Sequence, residues 1–346
     1  MYIYLINSVA LLSLHFLFYK YRNFKFENFI WIFVLFFLSI FIGFRNEIGG
    51  DWITYEKFYH TVHNLSFYET LNSSLVYVYI NKIAYYTGTQ FVGVNVICAL
   101  IFMFSLAIFL NNSKNKWLAL AISFPIIILI LGMGYTRQGL AFSFSLFLIK
   151  ALEDKKLLKS IIFIFLAILS HKSALFICSF LLFLSIWYYK KYFTLLLSII
   201  IPIFFVFLFW YYYKHLFHFY AGFGQHMFSY GSLPRSLLIL FVAVLFIINK
   251  KKFKNMNEYQ IFIYTAFASM IIFLFPFSIT TSIVADRLLL YLYPLKLVFI
   301  AFADLNDKTM RFITFIISSL YFFYLIIWIS FGKNSFSWLP YEFVGL

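Results

Sequence analysis

The sequence predicts an all-α integral membrane protein with about twelve transmembrane helices. Three observations carry that prediction. Of 346 residues, 64% are hydrophobic and 11% are charged, whereas a soluble globular domain is about half apolar and about a quarter charged. Apolar runs approaching the ~20 residues that a bilayer demands recur along nearly the whole chain. The polar breaks between them alternate between lysine-rich and lysine-poor, as expected of a chain threaded repeatedly through a membrane. A single polytopic domain over residues 1–346 is expected, with no soluble module.

The first run, residues 2–19, lacks a basic leader and a small-residue cleavage site, so it reads as a retained span rather than a signal peptide. Further spans are expected at 29–44, 91–110, 117–134, 138–152, 159–170, 173–188, 194–212, 234–249, 259–276, 287–303 and 312–330. The runs on either side of His171 are closely spaced and fit either two spans or a re-entrant pair. Residues 45–90 and 214–233 are long loops, and the first contains a short amphipathic or re-entrant stretch, "SSLVYVYINKIAYYTG".

Lysine clusters occupy the breaks at 20–25, 111–116, 153–159, 189–192, 250–255 and 304–311. With these spans all six lie on one face, which the positive-inside rule makes the cytoplasmic one. Both termini and both long loops then lie outside. The net charge of +15 follows from the same rule, so no nucleic-acid partner is implied. Cys98 and Cys178 sit inside apolar runs, where cysteine serves as a small buried residue rather than a disulfide or metal ligand.

Four arginines fall on the other face, where the rule disfavours them: Arg45, Arg137, Arg235 and Arg287. Arg45 closes the second run in "FRNEIGGDW". A planar guanidinium holds phosphate through paired hydrogen bonds. Gly49 and Gly50 permit a tight turn and close approach to a ligand. Asp51 is suited to orient an arginine or accept a hydroxyl proton, or more simply to cap the next helix. Arg137 follows Gly132 and Gly134 in "LGMGYTRQGLAF", where glycines also serve helix packing. An arginine near membrane depth is costly and marks a candidate site.

His171, in "LSHKSALF", places one titratable ring at an apolar break between Ser170 and Ser173. Its plain alternative is a polar residue at a helix turn. Asp286 and Arg287 are adjacent, so Asp286 is expected to cap a helix while Arg287 points elsewhere. Arg235 follows Pro234 and marks a helix start. His215, His218 and His226 share one loop with several aromatics, but their spacing matches no zinc signature. These rings are expected to anchor the interface or stack on sugars.

Four stretches, "FRNEIGGDWITYEKFY", "YTRQGLAFSFSLF", "LSHKSALF" and "DRLLLYLYPL", resemble in order and spacing those of the EpsG-like, Wzy-type bacterial polysaccharide polymerases. The resemblance covers about residues 30–300. One departure is the segment at 73–81, "SSLVYVYIN", where the family often carries a glutamate.

The resemblance implies a C-class membrane glycosyltransferase-like fold in the cytoplasmic (inner) membrane, with the active site facing outward. It implies a metal-independent enzyme without a cofactor, which transfers a growing glycan from undecaprenyl diphosphate to a sugar hydroxyl of the next lipid-linked unit. The product would be O-antigen, capsule or exopolysaccharide. The partners would be undecaprenyl-diphosphate-linked oligosaccharides and membrane lipid, together with a chain-length regulator and a flippase. His171, Arg137 and Asp51 are the expected catalytic residues. Arg45, Tyr55, Gln138 and Arg287 are expected to bind the diphosphate and glycan. Two other classes fit a polytopic chain. A transporter or flippase predicts paired halves with discontinuous helices at the midplane. A glycan acyltransferase predicts a buried histidine reached from the cytoplasm.

Overall fold

In the computed structural model, the structure describes residues 1–20, 24–111, 113–189, 229, 231–280 and 282–345. The expected span at 194–212, the lysine pair at 190–191 and the histidines of the 214–233 loop lie outside the described residues. The described chain is all-α apart from one two-residue strand pair.

The elements run α1 (Tyr2–Lys20), α2 (Phe24–Gly43), α3 (Trp52–Thr61), α4 (Phe67–Asn72), α5 (Leu75–Tyr86), α6 (Gln90–Leu110) and α7 (Lys116–Ser123), the last continuing as a π-helix over Phe124–Gly134. They continue with α8 (Thr136–Glu153), α9 (Leu157–Ser170), α10 (Ala174–Tyr189), α11 (Ser232–Asn249) and α12 (Glu258–Leu274). The last are α13 (Phe277–Thr280), α14 (Ser282–Leu290), α15 (Pro294–Phe302) and α16 (Lys308–Phe331).

Among the described residues, six segments are long and apolar enough to cross a membrane: Tyr2–Lys20, Lys25–Gly43, Gln90–Leu110, Lys116–Gly134, Ser232–Lys252 and Lys308–Phe331. Three shorter apolar helices, Leu157–Ser170, Ala174–Tyr188 and Glu258–Leu274, accompany them. The chain is therefore a multi-pass membrane protein by helix length and hydropathy. At 1.5 Å per residue, α9 reaches about 20 Å, short of the ~30 Å hydrocarbon core.

The expected span 287–303 is not one helix. It is broken into α14 and α15 by a turn at Tyr291–Tyr293, with Pro294 in the first turn of α15. Proline lacks the amide that a continuous helix would use and restricts the residue before it. Segment 117–134 is likewise irregular, since its second half is π-helical and fully buried. Such windings collect at functional sites. The loop 45–90 folds into α3, α4 and α5, with α4 started by a capping box between Ser66 and Glu69.

Contacts draw lysine-bearing breaks together at one end. Lys116 pairs with Glu27 at 3.1 Å, Asn115 donates to the Ala303 carbonyl at 2.8 Å, and Lys252 pairs with Asp307 at 3.0 Å. The opposite end gathers the loop after α2, the start of α8, the α9–α10 turn and α14. It is fastened by the C-terminal tail. The Gly49 amide donates to the Ser337 carbonyl at 2.8 Å, Arg45–Asn46 pairs with Glu342–Phe343, and the Tyr4 hydroxyl donates to the Trp338 carbonyl at 2.7 Å.

Candidate functional site

Arg45 follows the last turn of α2 and is 1% exposed. Its guanidinium donates to the Ile42 carbonyl at 2.5 Å, the Ile48 carbonyl at 3.2 Å, and Asn95 Oδ1 and Thr136 Oγ1 at 3.1 Å each. The Trp52 ring lies 5.5 Å away. A helix leaves its last carbonyls without partners, and Arg45 satisfies one of them while tying α2 to α6 and α8. Its donors are thus turned to the protein, not to an open site.

Gly49 takes a left-handed φ of +114°, and a Cβ there would stand 3.1 Å from the Met133 carbonyl oxygen. Only glycine suits both demands. Gly50 needs no such conformation. The turn delivers Asp51 at the head of α3, where its side chain makes no capping hydrogen bond. Asp51 thus holds the N-cap position of α3 without capping it through its side chain, and its carboxylate is turned to other groups. Burial raises its pKa, while the Arg287 and Arg137 cations and the Tyr55 hydroxyl favour its charged form.

Tyr55, one helical turn along, is buried beneath the Arg137 guanidinium, which lies 5.3 Å from its ring centre. Burial and the Asp51 charge push its hydroxyl up to about 12. Arg137 leads α8 directly after the π-helix and keeps a buried Nε without a hydrogen-bond partner among the described residues. Gln138 is buried and donates its amide to the Arg287 carbonyl at 2.7 Å. It therefore fastens α8 to α14 and sets where Arg287 stands.

His171 sits in extended backbone at the end of α9. Its Nδ1 lies 2.5 Å from Ser173 Oγ and accepts the Ser173 amide at 3.3 Å. Ser173 Oγ is in turn 3.0 Å from the Tyr291 hydroxyl, in the break between α14 and α15. A backbone amide can only donate, so Nδ1 is the acceptor and a neutral ring carries its proton on Nε2. Burial, then the Arg287 and Arg137 charges, push the ring's pKa down to about 3. The imidazole is neutral at physiological pH and presents a donor, not a base, on its remaining nitrogen.

The structure thus gathers Asp51, Tyr55 and His171 around Arg137, with Arg287 acting on Asp51 and His171, from four separate segments. Arg45 and Gln138 stand behind this group as its scaffold.

Sequence reasoning missed a buried pair beside the group. Arg235 and Asp286, both about 5% exposed, form a two-pronged ion pair through Nε at 3.0 Å and Nη2. Tyr293 donates to the Arg235 carbonyl at 3.1 Å. Asp286 is neither a cap nor a free carboxylate, because a buried arginine on α11 needs its charge. The available signal was Arg235 itself, a lone cation in an apolar run. The fastening by Trp338 and Tyr341 of the tail was missed too. Among the described residues, no three histidine, cysteine, aspartate or glutamate side chains gather as a metal-ligand set.

The fold and this group define a multi-pass membrane protein with a charged cluster at the end opposite its lysine-bearing breaks. The chain belongs to the EpsG family, whose sequence profile matches residues 28–343. It is accordingly a membrane protein of exopolysaccharide biosynthesis. No curated protein and no solved structure matches the chain.

Proposed function

We propose that the protein polymerises lipid-linked repeat units, transferring the growing glycan from undecaprenyl diphosphate to a sugar hydroxyl of the next unit. The observation that carries this reading is the convergence of α8 and α14 beside Asp51: Gln138 binds the Arg287 carbonyl at 2.7 Å, and Arg137 lies 5.3 Å from the ring of Tyr55, one turn beyond Asp51. Neither arginine forms an ion pair closer than 4.0 Å with a described carboxylate. Two unpaired guanidiniums suit a diphosphate, which needs several donors as its charge develops.

On this reading Asp51 takes the proton from the acceptor hydroxyl. The oxygen attacks the anomeric carbon, the bond from that carbon to the diphosphate oxygen breaks, and its electron pair leaves on the diphosphate. Arg137 and Arg287 receive the resulting charge. A carboxylate raised by burial is the better base of the two candidates, since a ring with pKa about 3 has little driving force to accept a proton near neutral pH. His171 then serves as a neutral donor through Nε2, and Tyr55 orients Asp51 and Arg137. We place the site on the outer face of the cytoplasmic membrane, in a C-class glycosyltransferase arrangement, with chain length set by a separate regulator.

The test is the lipid-linked glycan profile of a deletion strain carrying plasmid-borne variants. Single repeat units on lipid without polymer, restored to polymer by the wild-type chain, support the reading. Loss of all lipid-linked repeats points to an earlier step and overturns it. Normal polymer in the deletion strain overturns it as well.

A further inference from the structure

The lysine-bearing end carries a polar cavity that the proposed transfer does not use. It has a volume of about 370 Å³ and lies between the end of α1, the start of α2 and the loop entering α7. Glu27 and Lys116 form its ion pair at 3.1 Å, and Trp117 Nε1 also donates to Glu27. Lys114 adds a second cation, exposed and without an ion-pair partner among the described residues. The cavity therefore keeps one positive charge in excess. His15, 7% exposed on α1, lines it and makes no hydrogen bond with any described residue.

A groove of about 500 Å³ leaves the same cavity between α2 and α6, sharing Asn28 and Asn111 with it. Its walls are apolar and open outward, with Ile32, Phe36 and Phe104 more than half exposed. From Asn28 to Ser39 it follows eleven residue steps of α2, or about 16 Å. One leaflet of hydrocarbon is about 15 Å deep. Trp31 and Trp117, both buried, stand edge-to-face at 4.9 Å between cavity and groove.

We propose that this cavity and groove form a site for one anionic diacyl phospholipid of the leaflet on the lysine side. The phosphate-bearing headgroup lies in the cavity against Lys114, Lys116 and His15, and one acyl chain lies along the α2–α6 groove. The excess cation selects for an anionic head. The groove's reach of a single leaflet fits an ordinary acyl chain, whereas a polyprenyl tail is several times too long for it. The site is independent of the transfer chemistry, because it sits at the opposite end of the bundle.

Native mass spectrometry of the full-length protein, delipidated and then given phosphatidylglycerol, phosphatidylcholine or polyprenyl phosphate, tests this. Phosphatidylglycerol should be retained well above phosphatidylcholine. Lys114→Gln should lower that retention about fivefold, the worth of one lysine near a charged lipid surface. His15→Leu should lower it further, and Ala107→Trp should block the groove for any acyl chain. None of these side chains holds a hydrogen bond to a described residue, so an unchanged melting temperature separates lost binding from lost structure. Equal retention of the two phospholipids overturns the proposal. So does unchanged selectivity in Lys114→Gln at an intact melting temperature, or a preference for polyprenyl phosphate over phosphatidylglycerol.

Discussion

Arg45→Lys separates a scaffold arginine from a substrate-binding one. The guanidinium reaches four acceptors in four directions, two carbonyls and the side chains of Asn95 and Thr136. A lysine ammonium is a point donor on a flexible stem and cannot reproduce that fork. If it keeps two of the four bonds, two buried acceptors are left unmade, at about 1–3 kcal/mol each. The expected loss is therefore about 2–6 kcal/mol, comparable with the whole margin of a typical fold, about 5–15 kcal/mol. The assay is thermal unfolding of the purified protein in detergent, followed by intrinsic fluorescence, beside its steady-state level in the membrane. The variant should melt well below the wild type and be depleted from the membrane. Wild-type melting with polymer abolished would refute the reasoning, because Arg45 would then contact substrate and not merely the protein.

Arg137→Lys and Arg287→Lys should behave in the opposite way. Both should melt normally while polymer falls by about 10²–10³, the scale of losing an oriented charge-stabilising donor, read from the ratio of polymer to lipid-linked single units. Asp51→Asn should abolish polymer at normal protein levels, whereas His171→Gln, which keeps an N–H donor, should retain measurable synthesis. The pH dependence follows from the two shifts. Burial raises the Asp51 carboxyl, so the base is lost as pH falls through a value above the ordinary aspartate range. The His171 ring, pushed down to about 3, stays neutral throughout pH 5–8 and contributes no limb there. A limb near the ordinary histidine value that disappears in His171→Gln would refute that assignment. For orientation, a cysteine at exposed Asn64 should label from outside intact cells and one at exposed Asn255 should not, with Cys98 and Cys178 silent because they are buried.

Much of the fold was legible because the bilayer enforces it. A spanning segment must be long, apolar and internally hydrogen-bonded, and the runs at 2–19, 91–110 and 312–330 announce themselves. The break at Tyr291–Tyr293 was less legible, although Pro294 in "LYLYPLK" signalled it. The π-helical winding of 124–134 has no comparable mark, since an apolar run reads alike in either winding. The site was legible as a set of residue types on one face. What was hidden is who satisfies whom. Arg45 finds its side-chain acceptors 50 and 91 residues away, and Arg235 finds Asp286 51 residues away. No local pattern encodes such pairings.

The four arginines of that face divide by their partners, and the division argues for function. A buried cation is tolerated only when hydrogen bonds or an opposite charge replace its water. Arg45 meets the condition with four acceptors, and Arg235 meets it with Asp286. Both are complete without a ligand. Arg137 is half-buried and meets it only in part: its guanidinium lies 5.3 Å from the Tyr55 ring centre and interacts with the Tyr55 hydroxyl, while its Nε is buried with no acceptor among the described residues. Arg287 is not complete, for its side chain donates no hydrogen bond to a described residue, while Gln138 holds its backbone in place. The complete pair fixes the incomplete pair: Arg45 binds Thr136, next to Arg137, and Arg235 binds Asp286, next to Arg287. Each candidate arginine thus has, one residue before it, the anchor of a buried one. Two half-buried cations with anchored backbones and no ion pair to a described carboxylate are poised for an anionic ligand, since the cost of positioning them is met in the fold before the ligand arrives.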